Sequence, residues 1–155
     1  MLTRMKLFTT LFLIILLTAC GGKTDDAESQ KTVEFNLTGN DQMMFNLKQM
    51  VVKEGDKVVV NFENIGKMPK ETMGHNFVLL KQNVDVAAFA AKAIQAKENE
   101  YIPADEVDNI IIHSKLLGPG EKISIEFAAP AQGTYKYICS FPGHYVTMQG
   151  NLIVR

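Results

Sequence analysis

The sequence predicts an all-β fold, an antiparallel β-sandwich of Greek-key type with about eight short strands and one short helical insert. Three observations predict it. From residue 32 onward apolar residues recur in short runs with a period of two, as at Val33, Phe35 and Leu37, at Val58, Val60 and Phe62, and at Ile123, Ile125 and Phe127. Such alternation marks a strand with one face buried. Turn residues punctuate these runs at short intervals, among them Gly39-Asn40-Asp41, Glu54-Gly55-Asp56 and Gly118-Pro119-Gly120, as a sandwich requires. Only residues 86–97 carry apolar side chains at helical spacing. No internal repeat is visible.

Taken in order, residues 33–37 form the first strand and Gly39-Asn40-Asp41 its turn. Residues 45–53 and 57–62 read as two further strands around Glu54-Gly55-Asp56. Residues 64–74 hold Gly66, Pro69 and Gly74 and read as a loop, since Pro69 has no N–H to give to a ladder. Residues 77–80 are apolar throughout and form a strand. In residues 86–97 one helical face carries Val86, Phe89, Ala90, Ala93 and Ile94, which is packing surface for a helix laid against the sandwich. Residues 109–112 form a strand, and residues 121–127 follow the turn at Gly118-Pro119-Gly120. Pro130 and Gly133 break the chain before the strand-like runs 133–138 and 151–154, which flank a loop.

Length and composition set the frame. At 155 residues, with 46% apolar and 21% charged residues, the chain has the make-up of one ordinary globular domain with a core of its own. Residues 1–19 differ in kind: Arg4 and Lys6 precede an apolar run that closes on Leu17-Thr18-Ala19-Cys20. This is the pattern of a secretory signal, too short to span a bilayer comfortably. Its ending resembles a bacterial lipobox, in which cleavage leaves the cysteine first in the mature chain with a lipid on its sulfur. Cys20 is then the lipidation site, residues 20–31 a polar tether, and residues 32–155 the folded domain. Removal of the signal leaves 14 basic against 17 acidic residues, a net charge of −3. No basic footprint exists for nucleic acid.

Cysteine usage sharpens the reading. With Cys20 consumed by lipid, Cys139 has no disulfide partner in an exported, oxidising setting. Within ten residues the loop Cys139-Ser-Phe-Pro-Gly-His-Tyr-Val-Thr-Met148 offers a thiolate, an imidazole and a thioether. A thiolate with imidazole suits copper or zinc, and a trigonal set of two His and one Cys with a long, weak Met is the blue-copper electron-transfer arrangement. His75, ahead of the apolar run 77–80, can enter from a neighbouring strand as the second imidazole.

These residues resemble the azurins, small bacterial blue-copper electron carriers. The resemblance rests on the ligand loop Cys139-Ser-Phe-Pro-Gly-His144 with Met148 and Gly150, on Met73-Gly-His-Asn76, on Gly39-Asn-Asp-Gln-Met43 and on His113-Ser-Lys-Leu-Leu-Gly118. It covers residues 32–155 and implies a cupredoxin-like sandwich holding one type 1 copper. By resemblance the metal residues are His75, Cys139, His144 and Met148, with the carbonyl of Gly74 on the opposite axial side. Asn76 would tie the two ligand loops together and, with the backbone of Phe141, direct N–H groups at the sulfur. Pro142 and Gly143 would fix the turn that places His144. Met43, Met68, Met73 and Pro142 would form, with Phe141, a docking patch around an exposed edge of His144, and Met50 belongs to the core. His113 is not a ligand. Some azurins carry a disulfide between early strands and a titrating His ahead of the loop proline; this chain has no such cysteine and has Asn64 in the comparable place, so no pH switch of that kind is expected.

Three function classes compete on this reading. A one-electron carrier of the cell envelope fits best, anchored to a membrane by its lipid, with the domain in the periplasm or outside the cell. Redox proteins such as a c-type cytochrome or a terminal reductase would be its partners, with no small-molecule substrate. A multicopper enzyme would need further histidine clusters, which three histidines cannot supply. A copper store or chaperone would favour an exposed, exchangeable Cu(I) site over a cage between strands.

Overall fold

The computed structural model describes residues 31–155; the signal segment, Cys20 and nearly all of the tether lie outside the described residues. Among the described residues nine strands are present: β1 Thr32–Asn40, β2 Met44–Phe45, β3 Gln49–Val52, β4 Lys57–Asn64, β5 Val78–Leu80, β6 Ile110–His113, β7 Lys122–Ala128, β8 Gly133–Ile138 and β9 Gln149–Val154. They form a four-stranded sheet in the order β2-β1-β4-β7 and a five-stranded sheet in the order β3-β9-β8-β5-β6. The expected sandwich is present, but its sheets are mixed. β1 runs parallel to β4, with Val33 beside Val58 and Leu37 beside Phe62, and β3 runs parallel to β9. A parallel pair needs a long crossover, and the chain supplies one by sending β3 into the opposite sheet between β1 and β4.

That change of sheet divides the single strand expected over residues 45–53. At the break, the Asn46 side chain accepts from the Thr38 N–H at 2.7 Å and donates to the Asn36 carbonyl at 3.2 Å. A side-chain amide thus stands in for ladder bonds that β1 would otherwise lack. The loop expected over residues 64–74 contains one helical turn, α1 Lys70–Met73. Pro69 precedes it and carries the fixed φ suited to a helix start. The helical insert, α2 Val86–Ala93, is capped by Asp85, whose carboxylate accepts from the N–H groups of Ala87 and Ala88. It ends four residues earlier than expected. Phe89, Ala90 and Ala93 are buried, whereas Ile94 is 48% exposed and Val86 only partly covered, so the apolar stripe is narrower than its sequence spacing.

Between the sheets, four aromatic rings meet. Phe45 lies 5.8 Å from both Phe62 and Tyr137, and Phe77 lies 5.5 Å from Tyr137. Tyr137 is fully buried and its hydroxyl donates to the Leu47 carbonyl at 2.8 Å, as a buried phenol must. Gly150 on the adjacent strand makes room for it, because a Cβ there would stand 2.2 Å from the phenol oxygen. Met50 joins this core, as expected. Burying these rings locks β4, β8 and β9 together and leaves the end of β1, the start of β5 and the β8–β9 loop side by side at one pole.

Candidate metal centre

Cys139 leaves β8 at that pole, and the loop after it is wound by its own backbone. The N–H of His144 donates to the Phe141 carbonyl at 3.0 Å, that of Met148 to the His144 carbonyl at 2.8 Å, and that of Cys139 to the Met148 carbonyl at 3.0 Å. Gly143 takes the left-handed conformation, φ 80°, which a glycine reaches without steric cost, and this turns the chain so that His144 points back at Cys139. On the facing segment His75 is paired with Leu117 in both directions, its N–H donating at 3.1 Å and its carbonyl accepting at 2.7 Å. Two independently braced segments therefore present side chains to one another.

The result is a closed donor triangle. His75 Nδ1 and His144 Nδ1 are 3.2 Å apart, and the Cys139 sulfur lies 3.5 Å from His144 Nδ1 and 4.0 Å from His75 Nδ1. A triangle with these sides has its centre about 2.1 Å from every corner, close to the ~2.0–2.1 Å of a metal–imidazole bond. All three residues are at most 2% exposed. The His75 tautomer is set by its other nitrogen: Nε2 lies 3.0 Å from the Asn40 carbonyl, which only accepts, so Nδ1 turns its lone pair inward. Burial lowers the His75 pKa, and burial together with the neighbouring His75 pushes His144 down to about 4. Both rings are neutral at pH 7, as ligands must be. Burial pushes the Cys139 thiol up to about 12, against the backbone N–H groups of Asn76 and Phe141, which favour the thiolate. Only a cation in the triangle would ionise that sulfur at neutral pH, so the donor set fits a soft metal ion.

Met148 is wholly buried and its terminal methyl packs by Gly39: a Cβ on that glycine would stand 2.5 Å from the methyl and 3.0 Å from His75 Cδ2. Gly74 is also tightly placed, against the packing of its neighbours. A Cβ there would meet the Lys70 carbonyl at 2.7 Å and the Leu116 side chain at 2.9 Å, so the glycine serves the packing of α1. Asn76 links the two loops through Ser140, donating from Nδ2 to the Ser140 hydroxyl and accepting its N–H at Oδ1, both at 2.8 Å. Asn64 is buried and donates to the Leu117 carbonyl at 3.1 Å, which steadies the partner of His75. His113 is exposed at the end of β6, apart from the triangle.

The family of copper-binding proteins that includes plastocyanin and azurin matches residues 31–155. The chain belongs to this plastocyanin/azurin family. An azurin of Achromobacter denitrificans is 37% identical over 146 residues, covering 90% of this chain and 93% of that protein. Auracyanin-A of Chloroflexus aurantiacus is 34% identical over 151 residues, covering 91% and 90%. Among solved structures, reduced auracyanin from Roseiflexus castenholzii superposes with a TM-score of 0.71 at 34% identity, over 81% of this chain and 98% of that one. Auracyanin A of Chloroflexus aurantiacus gives 0.70 at 33% identity over 80% and 99%. Membership decides between the copper and zinc that the donor set alone would take: the cofactor is copper.

Among the docking residues, Met68 is 42% exposed, while Met43, Met73 and Pro142 are partly exposed. The expectation of a bare His144 edge is corrected, since His144 is only 2% and Phe141 7% exposed. Phe141 covers the ring, with centroids 4.6 Å apart. Sequence reasoning missed Met44, Ile65 and Val146, exposed at 44%, 50% and 62%, and gave no role to Gly39, to Ser140 or to the Asn40 carbonyl. A backbone oxygen has no signature in a sequence. Ile65 was legible as an apolar residue inside the loop read over residues 64–74, and Met44 as one between a turn and a strand.

Proposed function

We propose that the chain is a one-electron carrier of the bacterial cell envelope, in which His75, Cys139, His144 and Met148, with the Gly74 carbonyl, would hold the copper. The observation that carries this reading is the donor triangle, buried and sized for a trigonal ion. Copper supplies one-electron chemistry by alternating between Cu(I) and Cu(II). The protein's part is to keep the donors still in both states. Backbone bonds within residues 139–148 and the Asn76–Ser140 link fix the loop, and the N–H groups at the sulfur stabilise its negative charge. No step requires a proton, since both imidazoles are already neutral. With every converging donor engaged by the ion, turnover of a substrate is not proposed, and the burial of all three donors argues against a readily exchanging store or chaperone.

Four of the six large apolar side chains exposed among the described residues are Met44 at the start of β2 and Ile65, Met68 and Val146 on the loops of the site's pole. Together with Met43, Met73 and Pro142 they would make a small apolar surface over His144, suited to the brief encounters of redox partners, a c-type cytochrome or a terminal reductase being the kinds expected. A lipid on Cys20 and the tether behind it would hold this surface near a membrane.

The test is electron self-exchange between oxidised and reduced copper protein. Wild type should exchange fast. Met73→Lys should keep colour and potential but slow exchange about a hundredfold at low salt, because like charges brought together at a contact cost several kcal/mol. Exchange as fast as wild type would mean that electrons leave by another face.

A further inference from the structure

Glu100 and Tyr101 adopt left-handed backbone in succession, φ 53° and 65°, although neither residue type favours it. Consecutive non-glycine residues persist there only where the surroundings over-determine them. Here the surroundings are the loops of the copper site. The Glu100 carboxylate accepts from the Leu116 N–H at 3.0 Å and pairs with Lys70 of α1 at 3.2 Å. The Glu100 carbonyl accepts from Asn76 Nδ2 at 3.2 Å, and the Tyr101 carbonyl accepts from the Ser140 hydroxyl at 2.8 Å. The Tyr101 ring meets Phe141 edge-on, with centroids 4.9 Å apart at 63°.

The arrangement has a direction. Asn76 follows His75, and Ser140 follows Cys139. Those two side chains clasp each other, and both are gripped from outside by carbonyls that would point elsewhere in an extended or right-handed turn. We propose that the Glu100–Tyr101 turn is a positioning device for the copper centre, holding the Asn76–Ser140 clasp and thereby fixing the Cys139 sulfur relative to His75. The segment that follows the helical insert, from Ile94 to Tyr101, is then a strut for the site as well as packing. The proposal rests on the ligand set given above. Neither Glu100 nor Tyr101 touches the metal; they act through Asn76, Ser140 and Phe141.

Three variants test it, each in the metal-free and the copper-loaded protein. In the metal-free protein, Ser140→Ala and Glu100→Ala should speed amide hydrogen exchange at Ser140 and Phe141 about tenfold, the effect of losing one or two hydrogen bonds. In the copper-loaded protein both should shift the position and relative intensity of the thiolate-to-copper bands and the reduction potential. Glu100→Gln, which keeps an acceptor for Leu116, should stay close to wild type on both measures. If the variants melt at lower temperature yet keep the wild-type spectrum and potential, the turn is a plain structural element and the proposal is wrong. Should Glu100→Ala fail to fold, Ser140→Ala decides. A wild type that takes up copper without turning blue would overturn the ligand set instead, and exchange at Ser140 and Phe141 would still decide whether the turn holds the clasp.

Discussion

At Gly39 the space for a methyl group is already taken by Met148 and His75, so this residue couples strand β1 to two of the copper donors. Gly39→Ala should push the Met148 thioether away from the metal and cost about 1–3 kcal/mol in overpacking. Weaker axial coordination favours Cu(I), so the reduction potential should rise, in the direction expected of Met148→Leu. Voltammetry of both variants checks this; an unchanged potential in the two would show that Met148 is not axial. The same scale shows what a sequence displays and what it hides. Cys139, His144, Met148 and His75 were legible because their side chains carry the chemistry at telling spacing. Gly39, Ser140 and the Asn40 carbonyl were not, because they act by leaving space or through groups that every residue has.

At the scale of elements, alternation located β1, β4 and β7, since burying one face of a pleated strand imposes a period of two whatever its neighbours are, and short apolar runs located β5 and β6. It could not give direction, because a strand paired in parallel and one paired antiparallel bury the same residues. That is why the parallel pairs β1–β4 and β3–β9 were not foreseen. The split between β2 and β3 was hidden for a related reason: Asn46, which makes the change of sheet possible, looks like any polar residue between apolar ones until its partners Thr38 and Asn36 are known. The helix was over-extended because Ile94 sits at helical spacing but faces solvent, tertiary packing having ended the buried face at Ala93. The functional loop was legible as an element because Pro142 and Gly143 punctuate it between two apolar runs.

At the scale of the whole molecule, metal binding and folding share the same groups. With His144 at about 4 against an ordinary 6.5, and His75 shifted the same way, the unfolded chain binds more protons between those values than the folded one. Stability of the metal-free protein is therefore full above about pH 6.5 and is lost as pH falls toward about 4, His144 alone contributing about 3 kcal/mol. Copper should flatten this dependence by occupying the same nitrogens. Denaturant unfolding at about pH 7.5 and about pH 5, with and without copper, checks it, and equal metal-free stability at both would contradict the neutral buried pair. Outside the described residues, the proposed lipid on Cys20 would decide where the molecule resides. Wild type should take up labelled fatty acid and fractionate with membranes while Cys20→Ser does neither, and an unlabelled, freely soluble wild type would refute the anchor. The most direct test of the whole account is the visible absorption spectrum of the oxidised, copper-loaded protein. Sulfur and two imidazoles in a trigonal plane predict an intense blue band that Cys139→Ser abolishes. Copper uptake with only the faint absorption of a tetragonal Cu(II) site would contradict it.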